Sequence, residues 1–518
     1  MSAARRIAAA SMLEVRIEWR YRVVAVAGIL AVGWSALLIV VPAPAARTLG
    51  PIVLLVDTAA FGAFFIALLL LNERGEGALA ALRVTPLRTA EHLAVKLGVL
   101  TGLSVVAAVP VALAAGRPGR LLPTLLGVLL TALLILAASL LLVLPQRTVT
   151  GFLTTAPLVL LPGLAVPLAY LAGLLDHPVG YLVPTTGTAE LIRVGITGSG
   201  GPAGGDGPAG GWWWGTLATG YALVWIAGLV LLAGRRFGQA FATPAAGSRR
   251  PARAFRWPTG WWPTGWWPTG WLAAMIRVDL RVLGADRLLI LLIVAPLLLA
   301  TALRYGHQPA VRFVDERYGV DLTGHTGLLL ALLVLAHLPV IGGMLGSLLL
   351  LDDIDERRML LLRVTPVTLE RYLGYRVAVT GGLTLVGLLI AVPLSGLAAG
   401  PLGRLVPAAL LAAGQAVVVL LVIAGFAGNK VHGLALLKLL GGALMALAAL
   451  PWLPMPADWP AAAQWPVSLL PPVAVSLAQR AGEAGELRVA WGHAAIGAVA
   501  TVAGVALLAR RSIARFTS

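Results

Sequence analysis

The chain has 518 residues, 59% of them hydrophobic and only 12% charged, and its mean hydropathy is +0.90. A soluble domain carries roughly 25% charged residues, so a soluble two-domain enzyme is excluded and an all-α polytopic membrane protein is expected. The net charge of +17 fits arginine-rich faces beside a membrane better than a nucleic-acid partner, and with no cysteine and seven scattered histidines neither a disulfide framework nor a metal site is expected.

Residues 4 to 22 stay polar up to Arg22, so no cleavable signal peptide is expected. Ala8, Met12, Val15 and Trp19 fall on one helical stripe, with Glu14, Arg16, Glu18 and Arg20 elsewhere. This pattern predicts a helix lying on the membrane surface. Six apolar runs follow, near 23 to 41, 51 to 71, 93 to 115, 121 to 144, 152 to 175 and 214 to 233. Each is near the roughly 20 residues that a bilayer requires.

The connector between the second and third runs occurs twice. Its first copy is Glu73-Arg74-Gly75-Glu76-Gly77-Ala78-Leu79-Ala80-Ala81-Leu82-Arg83-Val84-Thr85-Pro86. The second is Asp353-Ile354-Asp355-Glu356-Arg357-Arg358-Met359-Leu360-Leu361-Leu362-Arg363-Val364-Thr365-Pro366. Opening acids suit a helix N-terminus, and Leu79 with Leu82, or Met359 with Leu362, give an apolar edge at helical spacing. Thr before Pro ends that short helix, and the same Thr can cap the next, with Pro at its first position.

Asp176 to Trp213 reads as a long polar segment with a glycine-rich middle, Gly195 to Gly211, expected to be flexible. Residues 234 to 271 read as a linker, rich in arginine and then carrying Trp-Pro-Thr-Gly-Trp three times from Trp257 to Trp271. Its tryptophans suit lipid headgroups, although an expanded linker of no special chemistry is the plainer reading of the repeat. The second half replays the first. Asp279-Leu280-Arg281 matches Glu14-Val15-Arg16, Gly403-Arg404-Leu405 matches Gly119-Arg120-Leu121, and runs lie near 288 to 303, 326 to 351, 373 to 399, 405 to 427, 434 to 456 and 489 to 509. About twelve spans are expected, in units 1–233 and 272–518. Because six is even, the units should share one orientation about an axis along the membrane normal.

Placing both termini, the linker and both connectors on the cytoplasmic side leaves only Arg47, Arg117, Arg120, Arg193, Arg304, Arg312, Arg317, Arg404, Arg480 and Arg488 outside, of 39 basic residues. The positive-inside rule favours that arrangement, in a cell membrane.

The connector resembles that of ABC-2 type transporter permeases: Glu, then Gly with a small residue, then spaced leucines and Thr-Pro, between spans two and three of a six-span unit. Its Leu-Arg-Val-Thr-Pro form, with the acidic-arginine surface helix, is closest to the fluoroquinolone-export permease group. The resemblance implies two fused permease units that dock a separate ABC ATPase, two copies per chain, through the surface helices (Glu14, Arg16, Trp19; Asp279, Arg281) and the connectors. The coupling residues it implies are Glu73, Glu76, Arg83, Thr85 and Pro86 in the first and Asp353, Glu356, Arg357, Arg358, Arg363, Thr365 and Pro366 in the second. ATP and Mg would sit on that partner, with no cofactor held here. The family's Gly-Thr is Gly77-Ala78 in one copy and Arg357-Arg358 in the other, which implies unequal coupling.

The chain's own sequence carries no standard phosphate loop. Its only lysines, Lys96, Lys430 and Lys438, precede Leu, Val and Leu, where a Walker A motif requires Ser or Thr. Asp57 in the second run and His337 in the eighth occupy matching register, and ionisable groups at that depth are candidates for a substrate path, local hydrogen bonding being the plainer role. Asp315-Glu316 resembles the outer acidic pair of membrane glycosyltransferases, although copy one has no acid at the matching loop and a solvated loop explains the pair. Three functions follow: the permease of an ATP-driven exporter of drug-like or lipidic amphiphiles, a secondary transporter with six-plus-six spans, and a membrane glycosyltransferase. A neighbouring reading frame encoding a soluble protein with Walker A and B motifs would favour the first.

Overall fold

A computed structural model describes residues 2–75, 85, 87–116, 121–146, 149–175, 177–198, 212–242, 270–285, 287–318, 323–355, 367–428, 430–452 and 461–517. Among them all regular structure is helical, and the chain divides into two compact units, Met1–Arg249 and Arg250–Ser518.

Unit one opens with α1 (Ala3–Arg20), which meets α2 (Val23–Val40) at a bend of 68°. Arg22 makes that corner with a φ of 59°, a left-handed conformation uncommon for a residue with a side chain. The long α3 (Ala43–Gly75), α4 (Thr89–Ala115), α5 (Leu121–Val143) and α6 (Val149–Leu171) follow, then the short α7 (Pro184–Thr197) and α8 (Trp212–Ala242). The last of these continues past Arg235 and Arg236 into the segment expected to be linker. Its core gathers Leu38, Leu54, Val111, Val128 and Ile192 around α5.

Unit two repeats the order. It has α9 (Trp271–Ala285), α10 (Arg287–Tyr318), then α11 (Thr326–Leu330) running through a π-helical turn, Ala331–Ala336, into α12 (His337–Asp355). Next are α13 (Leu369–Ser395), the central α14 (Val406–Phe426), α15 (Lys430–Ala449), the short α16 (Ala461–Val467) and α17 (Pro471–Glu483), and finally α18 (Leu487–Thr517). Leu388, Val392, Leu405, Ala408, Ala412 and Ala474 are fully or almost fully buried at its centre.

Among the described residues ten helices are long and apolar enough to cross a bilayer, or eleven with the bent α1–α2 pair, against about twelve expected. The fifth position of unit one belongs to α6, whose apolar stretch Leu158–Leu171 is shorter than a span.

Two sequence expectations change. The 176 to 213 segment is not loop throughout, because α7 lies within it with Thr185, Thr186, Thr188, Leu191 and Ile192 buried. Two of its threonines find partners inside the bundle: Thr188 receives a 2.7 Å hydrogen bond from Thr131 of α5, and Thr185 donates to the Gly163 carbonyl of α6. In unit two α17 does the same, Ser476 donating to the Ala448 carbonyl at 2.7 Å. Pro184, Arg193 and Gly195 stand 287 positions before Pro471, Arg480 and Gly482, so the two short helices are copies of one element. The second change concerns Asp315 and Glu316, which lie exposed on the last turn of α10 rather than in a loop.

Both short helices approach backbone closely. A Cβ on Gly195 would collide with the backbone nitrogen of Thr124, and one on Gly482 with the carbonyl oxygen of Arg404. Backbone cannot step aside as a side chain can, so Gly195→Ala and Gly482→Ala should each cost about 1–3 kcal/mol. Thermal unfolding in detergent checks this against Gly98→Ala, where nothing lies within 4 Å. Equal melting of all three variants would contradict the close packing.

Candidate functional site

At the connector end of each unit, a buried cation joins the surface helix to the end of the second span. In unit one Lys96 of α4 is fully buried, and its Nζ donates to Glu14 of α1 at 2.6 Å and to Glu73 of α3 at 2.7 Å. His92, one turn earlier, places Nε2 3.6 Å from the other Glu73 oxygen. In unit two Arg376 of α13 does the same work. Nη1 binds both carboxylate oxygens of Asp279 of α9, at 3.0 and 2.9 Å, and Nη2 binds Asp353 of α12 at 2.7 Å. Tyr372 accepts from Arg376 Nε at 3.0 Å and donates to Asp353 at 2.5 Å, while Tyr375 donates to Asp279 at 2.8 Å.

The two clusters are one design. Glu73, His92 and Lys96 stand 280 positions before Asp353, Tyr372 and Arg376, the same spacing that aligns Glu76 with Glu356. Each has two carboxylates around one buried cation, and removing that cation would leave two largely desolvated carboxylates facing each other. The arginine fork reaches three partners in a fixed plane, whereas lysine holds two acids from a single point.

This polarity also corrects the reading of α1. Its acidic face turns inward, with Glu14 4% and Glu18 1% exposed, while Met12, Val15 and Trp19 face outward. An apolar stripe facing lipid and an acidic face held by the bundle still suit a helix at a membrane surface. Arg16 and Arg281 are exposed, and Arg6 of α1 adds a 2.6 Å ion pair to Glu91, which also caps α4 by accepting from the Arg88 backbone at 3.0 Å. Arg74 donates to the carbonyls of Leu144 and Gln146 just past α5, and Arg515 donates to Ala424 near the end of α14. Cations at helix C-termini satisfy carbonyls that lack partners in the helix.

Glu18 differs from these groups. Its Oε1 is buried with no hydrogen-bond partner among the described residues. Burial first, and Glu14 beside it second, push its carboxyl up to about 8 against the opposing pull of Lys96.

Of the expected coupling residues, Glu14, Glu73, Asp279 and Asp353 come together in these clusters, Trp19 is exposed beside them on α1, and Thr85 is exposed. Glu76, Arg83, Pro86, Glu356, Arg357, Arg358, Arg363, Thr365 and Pro366 lie outside the described residues, as do Gly201 to Gly211 and the Trp257 to Thr269 part of the repeat. Asp57 is half-buried at a water-sized cavity of about 10 Å³ with Trp34, Thr58 and Ser104. His337 is half-buried directly after the π-helical turn, a distortion frequent at functional sites. The cations Lys96 and Arg376 are what sequence reasoning missed, although both stand at the duplication's own spacing.

Two related helical units, each locking a surface helix to its second and third spans through a buried cation, define a multi-pass membrane protein with a duplicated architecture. The description "Fluoroquinolones export permease protein family" matches residues 5–243, and "Fluoroquinolones export permease protein Rv2686c-like" matches 279–509. The fluoroquinolones export permease protein Rv2686c of Mycobacterium tuberculosis is 36% identical over 208 residues, 38% of this chain and 82% of its own length. Rv2687c of the same organism, named likewise, is 35% identical over 188 residues, 36% of this chain and 79% of its own length. The chain belongs to the fluoroquinolones export permease family, with one family unit in each half. It is a transport protein rather than an enzyme.

Proposed function

We propose that this chain is the membrane-spanning permease component of an ATP-driven exporter, a fused pair of permease units that moves a drug-like or lipidic amphiphile outward. Energy comes from a separate ABC ATPase, two copies of which dock at the cytoplasmic end on the surface helices and connectors. The observation that carries this reading is the duplicated cation cluster. In each unit Lys96 or Arg376 ties the surface helix to the span end from which the connector departs, so a push on either is transmitted to the third span. Fluoroquinolones, named for the relatives, are the first substrates to test.

Native mass spectrometry of the chain with the neighbouring ATPase should give one chain to two ATPases, and two chains per pair would overturn the fused-dimer reading. Glu76→Ala and Glu356→Ala should both lower transport-stimulated ATP hydrolysis, by different factors because Gly77-Ala78 permits close backbone approach and Arg357-Arg358 does not. Arg357→Ala and Arg358→Ala should weaken ATPase binding in a salt-dependent way. Equal losses at the two glutamates would remove the asymmetry alone.

Glu18 favours a second reading, a secondary transporter with six-plus-six spans, because a buried carboxyl near neutral pKa can carry a coupling proton. Proteoliposomes holding chain and ATPase decide between them: uptake that requires ATP and proceeds without a proton gradient supports the exporter, and uptake driven by the gradient alone overturns it.

A further inference from the structure

The second unit holds a cavity of about 410 Å³ between α9, α10, α12 and α13. Its wall is largely aliphatic, with one polar corner where Tyr375 and Arg376 donate hydrogen bonds to Asp279. Its length sets it apart. The lining runs along α13 from Tyr375 to Ile390, about 22 Å at roughly 1.5 Å per residue, whereas a compact cavity of the same volume is about 9 Å across. The space is therefore a slot that follows a span inward from the connector end. Its back is shut, because a Cβ on Gly342 would collide with the Thr384 hydroxyl and one on Gly346 with that of Thr380, so α12 and α13 touch along that seam. Its edge is open where the lining residues Ile293, Leu383, Val386 and Ile390 are exposed.

We infer that this slot holds one acyl chain of a membrane phospholipid, lying along α13 with its glycerol end at the polar corner. An empty apolar space weakens its surroundings in proportion to its volume, and water does not fill an aliphatic one. The occupant is therefore apolar, and the shape of the slot makes it long and thin. The exposed edge lies on α10 and α13, both long and apolar enough to cross a bilayer, so hydrocarbon chains are what reaches it. One leaflet supplies about half of the roughly 30 Å hydrocarbon core, a depth that the slot accommodates with its polar corner level with the ester groups. The corner makes its hydrogen bonds within the protein, so the slot selects for chain length and not for charge. No hydrophobic force favours it over the surrounding lipid, and the chain is held by close contact with the walls.

Unit one fills the matching space with side chains. Ile66 and Leu100, both fully buried, stand where unit two has Gly346 and Thr380, and a cavity between α2, α3 and α4 measures only about 10 Å³. The lipid thus belongs to unit two, where Ile276 and Leu280 bring α9 into the same lining. This inference does not depend on the export reading.

The full-length chain is reconstituted in nanodiscs of phosphatidylcholine that carries a diazirine midway along one acyl chain, irradiated, and mapped by peptide mass spectrometry. Adducts are expected on Leu338 and Leu345 of the slot wall, 4% and 7% exposed, and not on Phe65, which matches Leu345 in unit one. Leu383→Trp occupies the slot from its exposed edge and should lower the adduct at Leu345 about tenfold or more, while Leu103→Trp at the matching position of unit one should leave it unchanged. Both variants are compared with the parent after size exclusion, so that only folded chain is counted. Adducts confined to exposed residues such as Leu291 and Val294, with Leu338 and Leu345 untouched, would overturn the inference and mean that something other than lipid covers the edge. An undiminished adduct in Leu383→Trp would overturn it as well. So would tagging at Leu345 that a fluoroquinolone abolishes, which would make the slot a drug site.

Discussion

Arg376→Leu is expected to destabilise unit two more than any other single change at its connector end. The substitution leaves Asp279, 7% exposed, and Asp353, 8% exposed, with no cation between them, and Tyr372 loses the donor to its hydroxyl. Removing one partner of a buried ion pair costs about 3–5 kcal/mol, mainly because the remaining charge stays desolvated. Lys96→Met should do the same to unit one through Glu14 and Glu73. Lower melting in detergent and less folded protein in the membrane are the readouts. The triple variant Asp279→Asn, Asp353→Asn, Arg376→Leu removes the stranded charges as well, and should recover much of the loss in melting while staying inactive in transport. A triple variant no better than Arg376→Leu would mean that packing of the guanidinium, not charge, holds α9.

Arg376→Lys separates charge from geometry. Lysine keeps the cation but cannot reach Tyr372, Asp279 and Asp353 from one nitrogen as the guanidinium does from three, so an intermediate melting temperature is expected. The reciprocal Lys96→Arg must fit a larger group into a fully buried site bounded by Glu14 and Glu73. The two cations are therefore matched to their own neighbours, His92 in one unit and Tyr372 with Tyr375 in the other.

Much of this architecture is legible in the chain itself, because apolar runs of spanning length and a repeated connector survive as plain patterns. The acids of the clusters are legible too, since Glu73 and Asp353 stand at the ends of apolar runs and Glu14 and Asp279 lie on the amphipathic helices that precede such runs. Their cations are harder to see. Lys96 and Arg376 lie at the start of strongly apolar helices, where a single basic residue resembles an ordinary flank of a span. Only the register carried on from the connector distinguishes them. The short helices α7 and α17 are hidden for a different reason. Thr185, Thr186 and Thr188 lower the hydropathy of a segment that nonetheless packs inside, and the hydroxyls of Thr185 and Thr188 are satisfied by neighbours that no local pattern reveals. The direction of α1 is the third case: periodicity separates an acidic face from an apolar one, but which faces the protein depends on Lys96, a residue far along the chain.

Glu18→Gln is expected to stabilise unit one at alkaline pH and to leave it unchanged in acid. The carboxyl has a pKa of about 8 in place and an ordinary value of 4.5, so folding favours its protonated form. Below about pH 4.5 both states carry the proton and no difference arises. As pH rises toward 8 the released chain ionises freely while the docked one resists, so stability falls throughout that window and levels off above it. The full shift corresponds to at most about 5 kcal/mol. Release of α1 from α4 relieves this cost, with the sharp corner between α1 and α2 as the hinge. The wild type should therefore show faster hydrogen exchange over Ala3–Arg20 at pH 8.5 than its intrinsic chemistry predicts from pH 6, and Glu18→Gln should abolish the excess while raising the melting temperature by an amount that grows from about pH 5 to a plateau near pH 8.5. A melting difference that stays constant from pH 5 to 9 would show that glutamine acts by packing, and that Glu18 does not titrate between the docked and released positions of α1.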